Sequence, residues 1–389
     1  MMIPYGRQLI TPEDIDKVVE VLNSDFLTQG PMVPEFERRV CDLIDVEYSI
    51  AVNSATSALH IACLSLGVGP GTSIWTSPNS FVASSNCALY CGARVDFVDI
   101  DSRSLNMSTR ALSEKLRTAK LNNTLPKVVI PVHFAGQSCA MEEIFALSKQ
   151  YGFRIIEDAS HAIGGKYKNE NIGNCRFSDI TIFSFHPVKI ITTGEGGMAL
   201  TKNANLARFM RLLRSHGITR DNSEFKNPTN AAWYYEQQIL GFNYRLTDIQ
   251  AALGVSQLKR IDENIYARHS IAKYYDENLR SLPLVLPWQD PNAYSAFHLY
   301  PVQINSKKTC LTREKVFNFL RENGVGVNIH YIPIHTQPFY KEIGFKVGDF
   351  PVAENYYSGA LSLPIYPGLK RFDQDYVIGL LQSIFTQDA

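Results

Sequence analysis

The sequence predicts an α/β fold, in which a mainly parallel mixed sheet is flanked by helices and followed by a smaller C-terminal α+β unit. Three observations predict it. Short β-rich runs alternate with helical patterns from Tyr48 to Thr201, polar residues gather just after the strand-like runs, and the pattern changes to long helix beyond Leu246. Alternation of this kind is the mark of parallel strands joined by crossover helices.

Taken in order, an amphipathic helix is expected from Pro12 to Leu22, where Ile15, Val18, Val19 and Leu22 recur at helical spacing. SIAVNS is then followed by TSALHIACLSLG, SIWTSP by FVASSNCALYCG, and ARVDFVDI by STRALSEKLRTA. KVVIPVHFAG precedes CAMEEIFALSKQYG, and RIIEDAS leads through a hairpin-like segment to DITIFSF. A long helical pattern runs from Thr247 through YYDENL; HLYPVQI, a helix near Leu311 to Asn323, and GVGVNIHYIPIH make the smaller unit. The chain of 389 residues has room for two domains, expected over 1–255 and 256–389 with a soft boundary between 255 and 285.

Composition excludes several functions. The 45% apolar and 20% charged fractions are ordinary for a globular protein, and 38 basic against 38 acidic residues give no net charge to draw it to nucleic acid or anionic lipid. The seven cysteines are odd in number and have no CxxC pair, which suits reduced thiols rather than a disulfide framework or zinc site. The N-terminus lacks a signal-peptide core, and no apolar run reaches ~18 residues. A soluble cytoplasmic protein is expected, with no membrane or metal.

Four segments carry candidate chemistry. In FSFHPVKIITTGEGGM, Lys189 follows a strand-like run and precedes a glycine-rich loop. An amine at a strand end in a partly desolvated cleft can lose enough basicity to attack an aldehyde and form a Schiff base; a lone lysine is more often a solvated surface group. Asp158 ends the apolar run RIIED, where an unpaired carboxylate is costly. It can pair with a protonated pyridine ring or, with about even odds in isolation, serve as a turn cap. In NSATSALH, Thr56 and Ser57 stand at a strand-to-helix junction, where free N–H groups suit a phosphate dianion, although a plain helix cap is the commoner reading. Phe81, just past another strand end, can stack on a flat ring or belong to the core.

No single motif decides; their order does. With FLTQGP, NSATSALH, SPNSFVAS, VIPVHFAGQ, IIEDASHAIGG, FSFHPVKIITTGEGG, RSHG, GFNYRLTDIQAALGVSQL and VNIHYIPIH in succession, the chain resembles, over essentially its whole length, the DegT/DnrJ/EryC/StrS aminotransferases that act on nucleotide-linked sugars. These use pyridoxal 5′-phosphate (PLP) on fold type I. The resemblance implies that Lys189 is the Schiff-base lysine and general acid/base, that Asp158 pairs with the pyridine nitrogen, and that Phe81 stacks on the ring. His161 would replace the family's usual Gln near the ring hydroxyl. Thr56, Ser57 and Ser184 would bind the phosphate, with Asn243 reaching it from the neighbouring subunit of a homodimer that shares its active sites. Tyr5, the Leu27-Thr28-Gln29-Gly30 turn, and His330, Tyr331, Ile332 and Pro333 would line the sugar-nucleotide pocket together with Ser57, Ser184 and Asn243. NSATSAL, SHA and FSFHPVK are most similar to the members that serve pseudaminic acid synthesis. That implies a UDP-linked 4-keto-6-deoxy-N-acetylhexosamine as acceptor and L-glutamate as donor. The stretch 219–239 varies among members, and beyond subunit contact no role follows from it.

Competing readings stay open at this level. Another nucleotide keto-sugar (dTDP- or UDP-linked, C3 or C4) fits the same motifs. A PLP-dependent sugar dehydratase of this fold would carry His at the position of Lys189, and a non-catalytic regulator would be expected to lose Lys189 or Asp158. Gly67, Gly69 and Gly71 follow a helix and precede a strand, the reverse of a dinucleotide fingerprint, so they read as a turn. His330 and His335 lack zinc-site partners in sequence, and His186 reads as support for the lysine loop.

Overall fold

The computed structural model describes residues 2–386 apart from Pro228 and Asn230. Its centre is a seven-stranded sheet built from β1 (Tyr48–Val52), β2 (Ser73–Thr76), β3 (Arg94–Phe97), β4 (Val128–Ile130), β5 (Arg154–Asp158), β6 (Ile180–Ser184) and β7 (Gly197–Thr201). The spatial order is β1-β7-β6-β5-β4-β2-β3. β7 runs against both its neighbours, with Tyr48 opposite Thr201 and Phe183 opposite Met198, while the remaining pairs are parallel. The mainly parallel mixed sheet anticipated above is thus present, and each strand-like run named there contains one of its strands. Burial explains why the signal was readable. β6 and β7 are buried at every position, as strands covered on both faces are.

Helices fall where the periodicity puts them. α1 (Pro12–Leu22), α2 (Met32–Ile44), α3 (Ala55–Ser65), α4 (Ala83–Tyr90), α5 (Thr109–Leu121), α6 (Met141–Tyr151) and α7 (Ala204–Arg214) belong to the large unit. The hairpin-like segment pairs Lys166–Tyr167 with Glu170–Asn171. Gly67 and Gly71, at φ 73° and 85°, turn the chain between α3 and β2, a conformation that glycine adopts without strain.

Three features differ from the sequence reading. The long helical pattern after Leu246 is two helices, α8 (Asp248–Leu258) and α9 (Ile261–Leu279). The chain leaves helical geometry at Arg260 (φ −113°, ψ 16°), whose guanidinium turns back to Asp14 of α1 at 2.7 Å. GVGVNIHYIPIH is largely irregular and is tied to its surroundings by single bridges, Ile3 to Val325 and Asn328 to Ser362. The apolar stripe of α1 faces outward: Ile15, Val19 and Leu22 are 56%, 45% and 53% exposed, whereas Asp14 and Val21 point in.

A second, three-stranded antiparallel sheet joins β8 (Leu284–Val285), β9 (Tyr300–Ile304) and β10 (Ala360–Leu363), with β9 in the middle. It packs with Tyr275, Val316, Leu320, Val377 and Leu381 into a core of its own. Ile261 and Ile265, at the start of α9, belong instead to a core shared with α2, α8 and β6. Among the described residues no helix is long and apolar enough to cross a membrane.

Candidate active site

Parallel strands end on one side of the sheet, and the loops that follow them enclose a cavity of about 890 Å³. Lys189, Asp158, Thr56, Ser57, Phe81, His161, Ser184, Tyr5, His330 and Tyr331 all line it. Residues scattered over more than 300 positions of sequence therefore share one wall-to-wall site.

At one end, Ser54 caps α3 and accepts the Ser57 N–H at 3.1 Å, while Asn53 Oδ1 accepts the Ser57 hydroxyl at 2.7 Å. These bonds fix a helix N-terminus whose first residues, Ser54 to Ser57, line the cavity, an arrangement suited to a dianion. The approach depends on Gly197 of β7. A Cβ there would lie 2.4 Å from the Ala55 nitrogen. Gly197→Ala is expected to push the helix start away and to weaken cofactor retention about tenfold or more, since overpacking of this kind costs about 1–3 kcal/mol; equilibrium dialysis of PLP against the purified variant measures it.

Asp158 terminates β5 and is 4% exposed. Ser84 Oγ donates to its Oδ2 at 2.6 Å, and the Ser160 N–H donates to Oδ1 at 3.1 Å, so the carboxylate is fixed as an acceptor facing the cavity. The neighbouring Glu157 points to the opposite face of the strand, where it meets His133 at 2.8 Å.

Lys189 sits in the loop after β6. Burial drives its amine down to about 8, against the opposing pull of the Asp158 carboxylate and with a further push from the Arg268 cation. Its Nζ lies 3.4 Å from His298 Nε2. The imidazoles around it are held neutral: burial and the lysine charge depress His161 and His298 well below the ordinary histidine range, and depress His330 to about 3. His161 Nε2 is 3.1 Å from the Tyr331 hydroxyl, and its buried Nδ1 has no partner among the described residues. Phe81, 60% exposed, lies 6.5 Å from the Tyr331 ring at the cavity wall.

The remaining expected site residues lie elsewhere. Leu27, Thr28 and Gln29 are exposed and Gly30 is half-buried, in a turn held by the bond from Asp248 N to Leu27 O. Asn243 is exposed and bridges to Ser215, outside this chain's cavity. Ile332 is exposed, while Pro333 is buried beside the cavity residues but does not line it. His335 pairs with Glu354 at 2.8 Å. Asn53 and Ser84 lie inside the motifs NSATSALH and SPNSFVAS without having been assigned a role, whereas His298 and Arg268 sit in no glycine-rich or strand-end motif that flags them.

These residues fit PLP: an anion cradle at the start of α3, a fixed carboxylate for a ring nitrogen, a weakly basic amine, and an aromatic at the wall occupy one cavity. Fold and site together define a PLP-dependent aminotransferase of fold type I.

The chain belongs to the DegT/DnrJ/EryC1/StrS aminotransferase family, whose sequence model matches residues 8–382. It is similar to the spore coat polysaccharide biosynthesis protein SpsC of Bacillus subtilis, at 39% identity over 385 residues covering 98% of this chain and 97% of that one. It is also similar to the UDP-4-amino-4,6-dideoxy-N-acetyl-beta-L-altrosamine transaminase of Campylobacter jejuni, at 38% identity over 390 residues covering 99% and 98% of the two chains. Among solved structures, Helicobacter pylori PseC, an aminotransferase involved in the biosynthesis of pseudoaminic acid, superposes with a TM-score of 0.89 at 31% identity, with both chains fully covered. The enzyme is a nucleotide-sugar aminotransferase, and it works between an amino donor and a nucleotide-sugar acceptor.

Proposed function

We propose that the protein moves the amino group of L-glutamate to C4 of a UDP-linked 4-keto-6-deoxy-N-acetylhexosamine, giving UDP-4-amino-4,6-dideoxy-N-acetyl-β-L-altrosamine for pseudaminic acid-type surface glycans. The observation that carries this reading is the full-length similarity to the Campylobacter transaminase of that name, together with the Helicobacter structure. The similarity to a spore coat polysaccharide protein favours a second reading, in which the acceptor is a different nucleotide keto-sugar. Glutamate-dependent amination of a panel of UDP- and dTDP-linked 3-keto and 4-keto sugars tests both. Turnover confined to a dTDP-3-keto sugar defeats the first and leaves the second standing.

The roles of the site residues are part of this proposal. PLP, when bound, supplies an aldehyde and an electron-withdrawing ring. Asp158 keeps the ring nitrogen protonated, Thr56, Ser57 and Ser184 hold the phosphate, and Phe81 covers the ring. Lys189 would hold the cofactor at rest; freed when the donor takes its place, its Nζ would take the proton from the donor's α-carbon, and in the reverse direction would deliver a proton to the sugar carbon that receives the amino group. The lowered basicity of Lys189 supports that double duty, because an amine near neutrality can give and take a proton with little loss. Tyr5, His330 and Tyr331 shape the acceptor side of the cavity.

A homodimer with shared sites is also inferred. Three apolar side chains on the outer face of α1, with Phe26 and Leu27 beyond it, stand exposed on a single copy, and Asn243 points out of its own site. Asn243 and the Leu27–Gly30 turn would then serve the partner's cavity. Asn243→Ala and Lys189→Ala are each expected to be nearly inactive alone and to recover activity when co-refolded, because a mixed dimer regenerates one intact site. No recovery on mixing rules out sharing through Asn243. The reading further includes a PLP-binding unit over 1–255 with a smaller unit over 256–389, supported by the separate core around Tyr275 and β9. A cytoplasmic setting is supported by the buried thiols of Cys63, Cys87, Cys91, Cys139 and Cys175, which are not joined in disulfides.

A further inference from the structure

We propose that His298 is a positioning residue for Lys189, receiving the lysine amine in a hydrogen bond whenever that amine is free of the cofactor, and that Arg268 fixes His298 for this task. The proposal rests on the role of Lys189 given above.

The contact itself is the first observation. Lys189 Nζ lies 3.4 Å from His298 Nε2, and His298 is 4% exposed, so water does not compete for the amine from that side. An ammonium or amine can only donate to that nitrogen if the imidazole is neutral with its proton on Nδ1. His298 Nδ1 has no acceptor among the described residues. A buried polar atom left unpaired is uncommon and calls for a reason other than stability.

The backbone around His298 is the second observation. Phe297 adopts φ 44°, a left-handed conformation that a bulky aromatic residue avoids. The turn is nevertheless clamped from two sides. Arg268 Nη1 donates to the carbonyls of Phe297, His298 and Ile365 at 3.1, 3.2 and 3.1 Å. Gly136 lets the loop after β4 pass so close that a Cβ there would meet the Phe297 and His298 nitrogens at 2.9 and 3.1 Å. The bonds from Ala296 N to Gly136 O and from Leu299 N to Ala135 O fasten the same turn.

Arg268 is the third. Its side chain is fully buried, and among the described residues no carboxylate acts on it and Nε and Nη2 have no hydrogen-bond partner. A buried cation without a counter-charge is expensive as structure alone. In this place two of its three bonds go to the carbonyls of Phe297 and His298, at the turn that carries the His298 ring. The groups facing the amine are then Asp158 from the end of β5, the imidazoles of His161, His298 and His330, and Arg268 behind them. With three neutral rings and one cation on its side, the freed amine has a resting place that does not take its proton away. The ring of His161, 4.4 Å from that of His298, closes the other side of this nest.

His298→Phe keeps a flat ring against His161 and removes the nitrogen, while His298→Gln keeps an acceptor. The Phe variant is expected to lose about ten- to a hundredfold in kcat with KM little changed, the size of one charge-assisted hydrogen bond, and the Gln variant to regain most of it. In cofactor-free protein, labelling of Lys189 by fluorodinitrobenzene, followed against pH by peptide mass spectrometry, is expected to shift its midpoint downward in the Phe variant and to stay near wild type in the Gln variant. Thermal melts matched to wild type exclude misfolding as the cause. Wild-type kcat and an unmoved labelling midpoint in the Phe variant overturn the proposal, as does a folded Gln variant as impaired as the Phe one. If Lys189→Ala itself keeps full turnover, the failure lies with the role of the lysine; if that variant is dead and His298→Phe is normal, it lies with His298 alone.

Discussion

Lys189→Ala is expected to lose the visible absorbance of the lysine-bound cofactor and to turn over no sugar above background. General acid/base catalysis alone accounts for about 10²–10⁴-fold, and the variant also loses the amine that would displace the aminated sugar from the cofactor, so the total loss is larger. The geometry leaves no understudy. The imidazoles nearest the amine, His161 and His298, are held neutral and weakly basic by burial, and His186 lies at the exposed rim. The wild-type chain carries its own pH signature. Only the neutral amine attacks an aldehyde, and burial lowers Lys189 to about 8, so the rate of PLP capture by cofactor-free protein is expected to climb as pH rises through that value and then level. Stopped-flow absorbance over a pH series reads both effects. An alanine variant that retains the visible band, or turnover within tenfold of wild type, removes the lysine from the mechanism.

How much of this was legible in the amino-acid order follows from where each signal is stored. The sheet was readable because its strands are covered and therefore carry apolar residues at successive positions, as in VVI and the Ile-Ile pair of RIIED. Lys189, Asp158, Thr56 and Ser57 were readable because parallel topology places strand ends together, so a polar residue just past an apolar run is already near the others. His298 was not readable, since it meets Lys189 across 109 positions and sits in a turn aimed by Phe297 and Arg268 rather than by any motif. α2 has apolar positions at Val33, Phe36, Val40 and Ile44, a periodic signal that lay beside the FLTQGP motif and was passed over. The break at Arg260 depends on a contact to Asp14 near the other end of the chain, which no local window contains. The outward face of α1 is a different case. Its periodicity identified the helix but carried no information on what the stripe packs against, because one period serves equally for a core and for a second copy.

Asp158→Asn is the second change with a large expected effect, and it separates chemistry from folding. The carboxylate has two bonds to this chain, from Ser84 Oγ and from the Ser160 N–H, and an asparagine can keep its oxygen on one of them while presenting an amide of nearly the same shape. In the proposed role it loses the negative charge that would hold a pyridine nitrogen in its protonated form, and the ring would no longer withdraw electrons strongly from the donor's α-carbon. The loss is expected in kcat at about 10²–10³-fold, the order found when one preorganised electrostatic contact is removed, with a smaller weakening of PLP retention. Because Asp158 also supports the ammonium form of Lys189, its removal is expected to lower the lysine further below about 8 and move the capture profile to lower pH. The paired measurement discriminates: a variant slow in turnover with its capture midpoint displaced downward has lost charge, whereas one with both midpoint and kcat unchanged shows that the carboxylate serves only as a turn cap at the end of β5.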